Sequence, residues 1–131
     1  MLDISRVLAT IACSDLARSR RFYEGTLGLT EVEEQVGGVV YRCGEGTGLL
    51  LYESQFAGSG GATVCSFECS DVDQCVTELR DSGVTFEEYD LPGIRTIDGI
   101  AEMDGMRGAW FKDPDGNILA VTQPAHKLAL V

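Results

Sequence analysis

The chain of 131 residues carries 21 acidic against 10 basic side chains and a net charge of −11, so nucleic acid and anionic membranes are excluded as favoured partners. An apolar fraction of 44% with 24% charged residues suits one ordinary globular domain over 1–131 and leaves no membrane-spanning run. Five cysteines without C-x-x-C spacing read as buried thiols of a reducing compartment or, alternatively, as including one reactive cysteine; Asp3, Arg6, Asp15 and Arg18 interrupt any signal-like apolar run, so a cytoplasmic location is expected.

In chain order, residues 6–13 form a short apolar, β-branched run that predicts a buried strand. Ser14 or Asp15 then caps a helix whose Leu16, Ser19, Phe22 and Tyr23 recur at helical spacing and which Gly25 should stop. Strands are predicted over 29–35, 38–43 and 47–53, separated by Gly37-Gly38 and by Gly44-Glu45-Gly46. A first βαβββ module thus covers about 4–56, and the flexible Gly58-Ser59-Gly60-Gly61 follows as a linker.

The order then repeats in a second module over about 62–123. A strand at 62–69 leads to a helix capped by Asp71, with Val72, Cys75, Val76 and Leu79 on one face and an end near Ser82-Gly83, and a strand follows at 84–89. Residues 91–107 predict a long loop with at most one short strand around Ile100 to Met103. Asp113-Pro114-Asp115-Gly116 predicts a type I turn with Gly116 left-handed, closing the last hairpin. The apolar tail 124–131 is either frayed or docked on a partner subunit.

Asp15-Leu16 with Phe22-Tyr23 and Leu27-Gly28-Leu29, then Phe67 through Asp71-Val72-Asp73, then Trp110 through Asn117 together resemble the vicinal oxygen chelate superfamily of glyoxalases, extradiol dioxygenases and bleomycin resistance proteins. The resemblance spans about residues 4–123. It implies an α+β fold in which two βαβββ modules make a cup-shaped, incomplete β-barrel with flanking helices. It also implies four metal-ligand positions, which fall on Leu8, Leu49, Val64 and Ala120. None of these side chains can coordinate a metal, which requires His, Glu, Asp or Cys; no metal and no cofactor are therefore expected.

Pairing Asp113 with Asn117 sets Trp110 opposite Ala120 and turns it into the cup, with Phe111 and Leu119 beneath the helices. Alternation adds Thr10, Glu53, Ser66 and Glu68 to the inner wall, and Tyr41 and Phe56 complete the candidate ligand-binding set. Trp110 can stack on a planar or cationic ligand, or it can be a core tryptophan. The resemblance to bleomycin resistance proteins implies a homodimer that sequesters a cationic or aromatic drug unchanged. The alternative is a glyoxalase-like lyase or an isomerase, either with an unusual metal site or using Glu53, Glu68 or Glu102 as general acid or base, a role that burial would favour by raising the carboxyl pKa.

Overall fold

The computed structural model describes residues 2–126; the tail prediction for 124–131 lies mostly outside them. The chain divides into two compact units, Met1–Val64 with Asp113–Asn117, and Cys65–Lys112 with Ile118–Val131.

In the first unit, β1 (Ala9–Cys13) is followed by α1 (Leu16–Arg20), which continues as a π-helical segment (Arg21–Thr26). β2 (Thr30–Gln35), β3 (Gly38–Cys43) and β4 (Thr47–Glu53) complete a four-stranded sheet of order β1-β4-β3-β2. Asp15 caps α1 by accepting from the Arg18 amide at 3.1 Å. The helix does not stop at Gly25. The Leu27 amide bonds the Phe22 carbonyl five residues back, and the exit comes at Gly28, whose φ of 75° suits a residue without a Cβ.

One face of this sheet packs under the helix. Ile11 and Cys13 of β1, Val39 and Tyr41 of β3, and Leu49 and Leu51 of β4 are all buried there, with Tyr23 stacked on Tyr41 at 6.3 Å. Tyr41 is therefore a core residue and not a pocket residue. Its hydroxyl donates to Glu24 at 2.7 Å, and Glu24 is also bound by Arg20 at 2.6 Å, while Arg20 reaches Glu31 and Glu34 at 2.8 Å each. The guanidinium, then the phenol, hold the Glu24 carboxyl below its ordinary range.

The Cys13 thiol has no exposed surface, and burial pushes it up to about 11, only partly opposed by a hydrogen bond with Ser19. A thiol favoured in its neutral form when folded stabilises the protein fully below the free-thiol pKa of 9.0, and that contribution is lost as pH rises through the folded value. Chemical denaturation between pH 8.5 and 11 should thus show a loss that includes about 2 kcal/mol from this group. Cys13→Ser, which does not titrate there, should flatten that part of the curve; an unchanged slope would exclude Cys13 as its source.

In the second unit, β5 (Thr63–Glu68) leads to α2 (Val72–Asp81), capped by Asp71, which accepts from the Gln74 amide at 3.2 Å. The helix ends at Ser82, and Gly83 follows with φ of 96°. β9 (Met106–Lys112) and β10 (Ile118–Gln123) pair antiparallel with Ala120 opposite Trp110, the register expected from the Asp-Pro-Asp-Gly turn. Phe111 and Leu119 are fully buried, as expected of residues beneath a helix.

Two expectations fail here. Residues 84–89 make only an isolated bridge, Phe86 with Phe111, not a strand. The segment 91–107 holds the short strand expected around Ile100 to Met103 but is otherwise not a loop: β6 (Asp90–Leu91), β7 (Ile94–Ile97) and β8 (Ile100–Met103) run into β9 as successive hairpins. Asp98-Gly99 and Asp104-Gly105 turn the chain with positive φ at both residues of each pair, the geometry of tight hairpin turns. The second sheet has the order β5-β10-β9-β8-β7-β6, so its first four strands repeat the topology of the first sheet. No helix among the described residues is long and apolar enough to cross a membrane.

Candidate ligand-binding site

Each sheet has a face turned away from its helix, and the candidate residues are sorted by whether they stand on it. In the first sheet, β1 and β4 run parallel with Thr10 beside Leu50 and Ala12 beside Tyr52, and Val40 of β3 pairs with Leu50. The helix-free face therefore carries Thr10, Ala12, Gly48, Leu50, Tyr52 and Val40. Leu49, Leu51 and Glu53 have the opposite parity and belong to the helix side. This corrects the expected inner wall: Glu53 is exposed at the end of β4, beside Ser14, Ser54 and Gln55, and is not on the face that Thr10 shares.

The helix-free face holds a groove of about 370 Å³. Leu8, Val40 and Gly48 form its less exposed floor, and Arg6, Arg42 and Glu33 are exposed along it. The chain approaches closely at Gly48: a Cβ there would lie 2.9 Å from Leu8 Cδ2 and 3.1 Å from the Tyr41 carbonyl oxygen. Arg42 stands opposite Gly48 across the β3–β4 pair.

In the second sheet, Cys69 lies within hydrogen-bonding reach of Cys75 on α2, so by alternation Cys65 and Phe67 face the helix while Val64, Ser66 and Glu68 face away. Trp110 shares the helix-free parity with Ala120, Gly108 and Thr122. It is half-buried: the Tyr89 ring meets it edge-on at 5.7 Å, and it lies over Gly108, where a Cβ would come within 3.4 Å of the indole. Part of the ring is thus already used in packing, and the remainder is accessible.

Phe56 is 68% exposed in the turn after β4 and stands on no strand. Glu53, Glu68 and Glu102 are all exposed, so none has the apolar enclosure that the acid–base alternative requires. The Arg6–Arg42 groove was not legible beforehand, because charged residues on strands carry no sign of which face they take.

The family's metal positions do not fit a metal. Leu8, Val64 and Ala120 are apolar, and on β4 the helix-free positions beside the expected Leu49 are Gly48 and Leu50, which offer no donor either. Among the described residues, no group of three or more His, Cys, Asp or Glu side chains is placed to hold an ion.

Two sheets of repeated topology, each with one helix and one helix-free face, define an α+β protein of paired βαβββ modules. The chain belongs to the Glyoxalase/Bleomycin resistance protein/Dioxygenase superfamily, whose family model matches residues 4–121. Among solved structures it is similar to TnmS3, an antibiotic binding protein from Streptomyces sp. CB03234, at 26% identity and a TM-score of 0.68 over 95% of this chain and 99% of that one. It is similar also to a superfamily member from Sphaerobacter thermophilus, at 27% identity and a TM-score of 0.72 over 94% of this chain and 100% of that one. No curated protein matches the sequence.

Proposed function

We propose that this protein binds an aromatic, antibiotic-like small molecule and confers resistance by sequestering it unchanged, without a metal. The observation that carries the reading is the donor chemistry of the helix-free faces: where a metal-dependent relative needs His or Glu, this chain has Leu8, Val64, Ala120 and the Gly48–Leu50 stretch. What remains on the helix-free face of the second sheet is apolar surface, Trp110 and a few polar groups such as Ser66 and Glu68, the usual composition of a small-molecule site. The similarity to TnmS3 over nearly the full length of both chains supports the same reading. A homodimer is part of the proposal, and sedimentation velocity would return the mass of two chains.

Elemental analysis of the purified protein should find no stoichiometric divalent metal, and Trp110 fluorescence should respond to a panel of aromatic antibiotics. Trp110→Ala should weaken the antibiotic that binds by about tenfold, in line with roughly 1.4 kcal/mol of lost stacking and contact area. Unchanged affinity in that variant would reduce Trp110 to a packing residue, and tight stoichiometric metal would overturn the metal-free reading.

A further inference from the structure

Among the described residues, five cations of this chain have a partner. Arg18, Arg20, Arg107 and Lys112 form ion pairs, and Arg80 donates to the Asp98 carbonyl. Four other arginines, Arg6, Arg21, Arg42 and Arg95, have no carboxylate within 4.0 Å among the described residues, although the chain carries 21 acidic residues; two of them, Arg6 and Arg42, are set apart by their position. Both line the groove on the helix-free face of the first sheet.

Resting on the small-molecule reading above, we propose that this groove selects ligands bearing a single acidic group, a carboxylate, sulfonate or phenolate, on an apolar ring system. The guanidinium groups of Arg6 and Arg42 supply planar, always-charged donors for such an oxyanion. Leu8 and Val40 supply the apolar floor beside Arg42. Glu33 in the same groove disfavours a polyanion, as does the net charge of −11, so the class is a small monoanion and not a phosphate chain. Net charge alone points to a cationic ligand; the local charge of the groove has the opposite sign, and at physiological ionic strength screening over about 8 Å leaves the local groups in control.

The test uses two dyes that share one skeleton, 8-anilinonaphthalene-1-sulfonate and the uncharged N-phenyl-1-naphthylamine, titrated by fluorescence in 0.15 M salt. The sulfonate should bind roughly tenfold more tightly than the neutral dye, and Arg6→Gln and Arg42→Gln should each remove about fivefold of that preference without changing the affinity for the neutral dye. Arg95→Gln, an exposed arginine of β7 that does not line the groove, should leave both affinities unchanged. Equal affinities for the two dyes, an unaffected Arg6→Gln/Arg42→Gln double variant, or an equal loss in Arg95→Gln would overturn the acidic-ligand inference while leaving small-molecule binding standing. Failure of the folded protein to bind either dye would remove both.

Discussion

Asp113→Ala is expected to cost about 3–5 kcal/mol of folding stability, because it strips the acceptor from a buried polar hub. The Asp113 carboxylate accepts from the Tyr23 hydroxyl at 2.7 Å, from the Asn117 side-chain amide at 2.8 Å, and from the backbone amides of Asn117 and Asp115 at 2.9 and 3.0 Å. Tyr23 has no exposed surface, Asp113 is 5% exposed and Asn117 7%, so water cannot readily replace the lost oxygens. Tyr23→Phe removes only one donor and should cost about 1–2 kcal/mol. Combining the two should cost less than their sum, since they share a bond. Urea denaturation of the three variants measures all of this; a loss under 1 kcal/mol for Asp113→Ala would show that the hub is not a stabilising unit.

Gly58→Ala should be nearly as damaging, at about 2–4 kcal/mol, for a backbone reason. Gly58 has φ of 70°, and an added Cβ would fall against the backbone carbonyl oxygen of Asp115, which has no flexible end to swing away. Its amide also donates to Asn117 Oδ1 at 3.2 Å. Gly60 and Gly61, two and three residues on, have no atom within 4 Å of such a Cβ and no positive φ; alanine there should change stability by less than about 0.5 kcal/mol. Thermal melts of the three variants decide the matter, and equal melting temperatures would show that the turn absorbs the clash.

Most of the fold was legible because local chemistry and tertiary structure agree. Asp71 caps the helix it was expected to cap, Asp15 is the one of Ser14 and Asp15 that caps the first, and the Asp-Pro-Asp-Gly turn dictated a register that set Trp110 and Phe111 on opposite faces. The failures have two causes. Gly48-Leu49-Leu50-Leu51 is a run of residues without polar alternation, so its face cannot be read by period two, and taking Leu49 as the inward position puts Glu53 on the wrong face with it. Gly48 itself was the better signal, since a glycine inside a strand often marks a close approach. Most of 91–107 reads as loop from its glycines and proline, whereas Asp98-Gly99 and Asp104-Gly105 are hairpin turns between short strands. The unpaired state of Arg6 and Arg42 depends on where every carboxylate comes to rest, which no local pattern encodes.

The turn Asp113–Asn117 belongs to the first compact unit although it is encoded some fifty residues after the rest of it. On the ribosome, the Asp113 partner of Tyr23, the Asp115 partner of Ser14 and Arg18, and the Asn117 side chain that donates to the Ala12 carbonyl are all still unsynthesised when residue 64 emerges. At about 5–20 residues per second, the nascent first unit must wait several seconds with these polar groups unmet. Slow codons placed after the linker would prolong that interval, and a chaperone that shields the nascent segment would be needed most within it.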